Sequence, residues 1–202
     1  MEDIDMVGMQ PPIPDWIAHM MDAIFEKLPA ERTIYWTREV VAEIRLQADY
    51  SLVVPKLMLR GIQDVWRYAD DATLPGIERV IKYVLEPRAR GEVVTEEVEA
   101  AVRMAAGKGA AWATPRVSET VGAAIEATYA SAPNAWSKRA TEAFYHCCMA
   151  RKYYEMEVFL QGRGVWGTPR FAAEALTAEE WSFWLLELLR EAPVIKEEEE
   201  EV

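Results

Sequence analysis

Residues 135–160, AWSKRATEAFYHCCMARKYYEMEVFL, carry apolar side chains that return every three or four positions: Trp136, Ala140, Ala143, Cys147, Ala150, Tyr154 and Val158. That spacing marks one face of an α-helix, since a half-buried strand would alternate every second residue. The stretch is predicted to be one long helix with this seam against a core. It also places His146, Cys147 and Cys148, one of the two histidines and both cysteines of the chain, in consecutive positions. At ~100° per residue Cys147 falls on the seam, while His146 and Cys148 diverge by about 160°. Metal ligands on a helix converge from positions three or four apart, so the triplet as a unit is not a metal site. Cys147 is predicted to be a small core residue and Cys148 a half-buried thiol.

What is left of the triplet is Glu142 and His146, four residues apart on one flank. Such a pair is either an ordinary helix-surface contact or an imidazole oriented for base chemistry. His19 would join it only if the first helix packs against this one. Tyr145, Met149, Lys152, Tyr153 and Met156 form a second, partly apolar strip facing away from the seam. A helix sticky on two faces is sandwiched within a bundle or covered by a partner, and the sandwich is the plainer reading.

The same period governs the rest of the chain, which is read as all-α: a single-domain bundle of seven or eight helices. Asp15 caps a helix over 16–28 with Trp16, Met20, Ala23 and Ile24 inward. A second, 33–50, turns Tyr35, Val40, Ile44 and Ala48 inward. A third, 55–69, starts on Pro55, which pushes Val54 toward extended backbone, and buries Leu59, Ile62, Val65 and Trp66. A fourth, 75–85, buries Ile77, Val80, Ile81 and Val84 and stops before Pro87.

Thr95 opens the next helix, and Thr114 with Pro115 opens another almost without a loop. Gly107 and Gly109 mark a break or a close crossing, and the alanines around them form a smooth surface. Thr177 to Glu180 read as a capping box that starts the last helix, 178–191. Residues 1–14 are a flexible leader, 15–192 the bundle and 193–202 a disordered acidic tail.

The chain has 202 residues, with 22 Lys plus Arg against 34 Asp plus Glu and a formal net charge of −12. A field of that sign repels phosphate backbones and anionic membrane surfaces, so neither nucleic acid nor membrane is an expected partner. Two adjacent cysteines cannot staple distant segments, and MEDIDMVGMQPPIPD is acidic where a signal peptide is basic. A cytoplasmic location is expected. AAGKGAAWA, residues 105–113, lacks the spacing of a phosphate loop and follows no strand, so no cofactor and no metal is expected. The glycine-rich loop QGRGVWGTPRF, 161–171, offers Arg163, Trp166 and Arg170, and the last helix offers Trp181 and Trp184. Arg and Trp are enriched at the centres of protein interfaces.

LPGIERVIKYVLEPRARGEVVTEEVEAAVRMAAGKGAAWATP and the following VGAAIEATYASAP, together spanning residues 74–133, resemble an Ala-rich helical family of immunity proteins. A Pro before an Ile-Glu helix, a turn at Gly91 and Glu92, and alanine-dense helices carry the likeness. The resemblance implies a small cytosolic protein that acts by binding another protein, with no catalytic residues to carry over. The function expected from the sequence is therefore non-enzymatic: an acidic helical protein that binds or neutralises a protein partner. Two alternatives stand beside it, a self-associating viral or phage accessory protein and an enzyme with a helical site around Glu142, His146 and Cys148.

Overall fold

Thr95 and Thr114 each accept a hydrogen bond from the backbone N–H three residues on, at Val98 and Val117, and so start two helices where the sequence places them. In the computed structural model, which describes residues 15–45, 47–108, 110, 113–132, 136–161 and 172–195, these are two of nine α-helical segments. They are α1 (Asp15–Phe25), α2 (Ala30–Glu43), α3 (Val53–Val65), α4 (Leu74–Val80), α5 (Glu86–Ala89), α6 (Glu96–Gly107), α7 (Pro115–Ala130), α8 (Trp136–Leu160) and α9 (Ala172–Glu191). No strand occurs among the described residues; a single antiparallel bridge joins Ala48 to Val194. No described helix is long and apolar enough to cross a membrane.

Among the differences from the sequence reading are three helix boundaries and one inward-facing residue. Helix α3 begins at Val53, so Val54 is helical and Pro55 sits in the first turn, where a missing N–H leaves no bond unmade. Pro87 does not stop the fourth helix. A π-turn, Ile81–Leu85, leads straight into α5 and carries the chain past the proline to Ala89. Helix α9 starts at Ala172, and Thr177 lies buried inside it with its hydroxyl donating to the carbonyl of Ala173 at 3.0 Å. A Ser or Thr followed by Glu is thus here a mid-helix side chain bonded to its own backbone rather than a cap. On α2, Trp36 faces the core and Tyr35 is 70% exposed. The indole is the larger apolar body, and its N–H finds the carbonyl of Ser182 at 3.1 Å.

Helix α8 is the central rod. It lies along α7 on one side and meets α1 and α9 on the other, with α3 across its seam. The seam is fully buried from Ala140 through Ala143 and Cys147 to Ala150, then emerges at Tyr154, which stacks on Tyr68 with ring centroids 4.7 Å apart. Gly61 of α3 stands at the crossing. A methyl there would lie inside van der Waals contact of Cζ2 of the buried Trp181, and its carbonyl oxygen is 3.9 Å from the Cys147 thiol. Phe144 meets Trp181 edge-on at 5.1 Å. Burial of side chains of this size contributes about 1.5–3 kcal/mol each, so this cluster is a large share of the stability. The smooth alanine surface is used as well: a methyl on Gly76 of α4 would stand 2.7 Å from the Cα of Ala106 on α6.

The second face of α8 is covered only in part from within the chain, Tyr145 remaining 36% exposed. Lys152 of α8 and Lys27 after α1 both donate to Glu174 of α9, at 2.5 and 2.7 Å, and the Tyr145 hydroxyl donates to Glu26 at 2.8 Å. At the far end of α9, Arg45 donates to the carbonyls of Leu189, Arg190 and Ala192, satisfying acceptors that a helix end leaves open. Beyond it the backbone of 193–195 pairs with 47–49, through Asp49 N–H to Pro193 and Ile195 N–H to Gln47. The first three residues assigned to the acidic tail are therefore part of the folded body.

Burial raises the Glu174 carboxyl, but the bonds from Lys152 and Lys27 outweigh it and hold its pKa below the ordinary glutamate value. A depressed folded-state pKa gives stability that is present above the unfolded value and lost as pH falls through the folded one. Glu174→Gln should therefore cost about 1–3 kcal/mol at neutral pH. In urea titrations across pH, the gap between parent and variant should close as pH drops below about 4. A gap that stays constant into acid would contradict the ionic role of Glu174.

Candidate functional site

The residues singled out on α8 are placed apart. His146 Nδ1 bonds Glu119 Oε2 of α7 at 2.6 Å, and its ring lies against Gly122, where a methyl would stand 3.0 Å from the imidazole. Glu142 is engaged elsewhere, 3.3 Å from Arg139 and 3.8 Å from Lys138. The carboxylate partner of His146 thus comes from the neighbouring helix, where α7's glycine lets the imidazole lie flat between them. His19 is exposed on α1. Cys148 is buried rather than half-buried, and burial pushes its thiol up to about 12. Cys147 is wholly enclosed, and burial likewise drives its thiol well above the usual range. Neither sulfur is a thiolate at neutral pH, which is what a nucleophile or soft metal ligand requires. No group of three His, Cys, Asp or Glu side chains able to hold a metal ion occurs among the described residues.

Of the interface candidates, Trp181 is 1% exposed and belongs to the core; it meets no partner unless the bundle opens. Trp184 is half-buried, its ring 6.3 Å from Trp181. Arg163, Trp166 and Arg170 lie outside the described residues. The aromatic side chains that do reach solvent on this side are others: Tyr35 on α2 and Phe183 on α9, the latter 63% exposed. Each stands one residue from the Trp36–Ser182 bond that joins the two helices. Arg190 donates to Glu43 at 2.8 Å further along both helices, so α2 and α9 run parallel and present these residues together. Glu31 and Glu39 flank Tyr35 at four residues on either side, and Glu179 and Glu187 flank Phe183 in the same way. At helical spacing these carboxylates share the face of each aromatic ring, with Arg32 and Arg38 three residues either side of Tyr35 and Glu187 paired with Arg60.

A second polar cluster escaped the sequence reading because its members are far apart in the chain. Arg88 of α5 is 6% exposed and donates to the Thr128 carbonyl at 2.6 Å and the Ser131 hydroxyl at 3.0 Å. It also donates to Glu99, whose other oxygen is 3.0 Å from Arg103. Burial lowers the Arg88 pKa, with Glu99 opposing. Arg103 and Arg139 lie over the Tyr129 ring at 4.3 and 4.9 Å. The sequence signal that could have found Arg88 is weak: an arginine on the inward side of a short helix.

No protein-family profile, curated protein or solved structure matches the chain.

The thiol geometry makes a direct prediction. Native protein at pH 8 should show no measurable reaction of Cys147 or Cys148 with a disulfide reagent over minutes, and both should react at once in denaturant. Rapid labelling of Cys148 in the folded protein would contradict its burial.

Proposed function

We propose that the chain is a non-enzymatic protein that acts by binding a protein partner with a basic surface, in an immunity-like or accessory role. The observation that carries this reading is the paired pattern on α2 and α9: Glu31, Tyr35, Glu39 and Glu179, Phe183, Glu187, with Ile34 also 61% exposed beside it. Large apolar side chains left in solvent with a polar rim are the composition of an interaction surface. The acidic rim and the net charge of −12 favour lysine- and arginine-rich partners and speed their encounter. Trp184, Arg163, Trp166 and Arg170 are proposed as further contacts, while Trp181 is withdrawn from that role by its burial.

Self-association through the same face fits less well. A two-fold contact sets a surface against its own copy, and Glu31, Glu39, Glu179 and Glu187 outnumber Arg32 and Arg38 there, so like charge would be in excess. An enzyme built on Glu142, His146 and Cys148 is also less well supported, because His146 bonds Glu119 and Cys148 is buried.

The test is the double variant Tyr35→Ala, Phe183→Ala. Both positions are exposed, so its stability should stay within about 0.5 kcal/mol of the parent. Affinity purification with the tagged chain, followed by cross-linking to locate the contact, should recover a basic protein with the parent and lose it with the variant. Unchanged recovery, or a contact mapped to another face, counts against the proposal.

A further inference from the structure

The segment that enters α3, the turn after α5 and the end of α7 enclose a cleft of about 310 Å³. Leu52, Val54 and Pro55 line it from one segment, Val93 and Val94 from the second, and Ala130 from the third. Val54 and Ala130 belong to the buried core, so the apolar surface of the cleft continues into it. Small-molecule sites are cavities of about 300–1,000 Å³ with mainly apolar walls. At ~30 Å³ per water-sized atom this one has room for about ten non-hydrogen atoms.

The polar side chains of the wall are engaged within the protein. Arg88 donates to the Thr128 carbonyl at 2.6 Å and the Ser131 hydroxyl at 3.0 Å, and Glu99 meets its charge. Ser131 donates in turn to the Thr128 carbonyl at 3.2 Å. Ser51 gives its N–H, at 2.8 Å, and its hydroxyl to the Asp49 carboxylate, and Asp49 itself does not line the cleft. The Tyr50 hydroxyl accepts from the Arg45 N–H at 2.6 Å and donates to the Arg45 carbonyl at 3.2 Å. At the rim, Glu92 is held by Arg90 at 2.5 Å, while Glu96 and Glu97 of α6 are exposed and outside the lining. Each ionised side chain of the lining thus has an opposite charge beside it already. An ion entering the cleft would give up water without gaining a counter-charge, a transfer that costs far more than burying an apolar group.

The cleft is held in shape by bonds on two sides. Gly91 takes φ +80°, a backbone region that glycine enters without strain. Its N–H donates to the Arg88 carbonyl at 2.9 Å and that of Glu92 to the Pro87 carbonyl at 3.0 Å, the paired bonds that end a helix and turn the chain sharply. This turn brings Gly91 against Leu52, which lies 3.7 Å from where a Gly91 methyl would be. Arg88 ties the same short helix to α6 through Glu99 and to the end of α7 through Thr128 and Ser131. Walls fixed in this way resist collapse, and apolar atoms between them gain close contacts where a water finds few partners.

We infer that the cleft binds a small uncharged molecule with an apolar body of about ten non-hydrogen atoms, lodged among Leu52, Val54, Pro55, Val94 and Ala130. The site uses none of the residues of the α2–α9 face, so the two proposals stand or fall separately.

The experiment titrates the full chain with 2-phenylethanol, phenylacetate and 2-phenylethylammonium, which share one apolar body and differ in charge, and follows amide chemical shifts. The alcohol should bind about tenfold more tightly than either ion, because only the ions lose hydration without a counter-charge. Shifts should concentrate at residues 52–54, 91–94 and 130–132. Ala132→Phe, at a half-buried position of the lining, should fill the cleft and abolish binding. Val94→Asp, which sets an unpaired carboxylate in the wall, should weaken the alcohol about tenfold and turn the preference toward the ammonium compound. Thermal unfolding identifies which of the two variants is folded, and the parent titration stands without them. Equal or tighter binding of either ion by the parent overturns the inference. So does an alcohol that fails to bind at millimolar concentration, or one that binds a folded Ala132→Phe chain as it does the parent.

Discussion

Everything in the bundle is set by the contact at Gly61. Helix α3 packs against α8 and α9 so closely that the position has no room for a methyl: Trp181 closes on it, and the Cys147 thiol approaches its carbonyl. Glycine inside a helix costs about 1 kcal/mol relative to alanine, a local penalty that only packing can offset. Here it lets the Cζ2 edge of an indole close on a helix backbone, with Phe144 against the same ring and Trp36 hydrogen-bonded to the next residue of α9. The spacing of α3, α8 and α9 follows from that arrangement, and α2 is then carried parallel to α9.

Much of this was legible along the chain where the determinants are local. Thr95, Thr114 and Pro115 announce helix starts because capping is a matter of the next three residues. The seam Ala140, Ala143, Cys147, Ala150 was legible because one face of a rod faces one core, and Cys147 proved to be a small core residue as its place on the seam implies. The misreadings share a different cause. Tyr35 against Trp36 is a choice between adjacent aromatics that only the carbonyl of Ser182, 146 positions away, decides. Thr177 looked like a cap because its own neighbours fit one, yet the preceding turn of α9 is held by Lys27 and Lys152 on Glu174. His146 was matched to Glu142 on its own helix, whereas packing supplied Glu119 from α7. The Arg88 cleft draws on three separated segments, and no periodicity in one of them reports on the others.

The chemistry that reaches solvent is of two kinds. Along α2 and α9, aromatic rings share their face with carboxylates. Between α3, α5 and α7, a buried guanidinium sits at the wall of an apolar cleft. The two cysteines, which first draw the eye in the sequence, do neither: the packing that makes the Gly61 crossing also encloses them and keeps both thiols protonated. Concentration of reactive residue types in sequence and concentration of chemistry in space are here opposed, because consecutive positions on a helix point in different directions.

The central claim, that Gly61 and Trp181 are one fitted contact, is tested by a double-mutant cycle on unfolding free energy. Gly61→Ala alone should destabilise by about 1–3 kcal/mol despite the better helix propensity of alanine. Trp181→Leu alone should cost about 3–5 kcal/mol by leaving a cavity. In the Trp181→Leu background the added methyl has space, so Gly61→Ala should cost nothing or stabilise, giving a coupling of at least about 1 kcal/mol. Additive costs, or a Gly61→Ala variant as stable as the parent, would contradict the account.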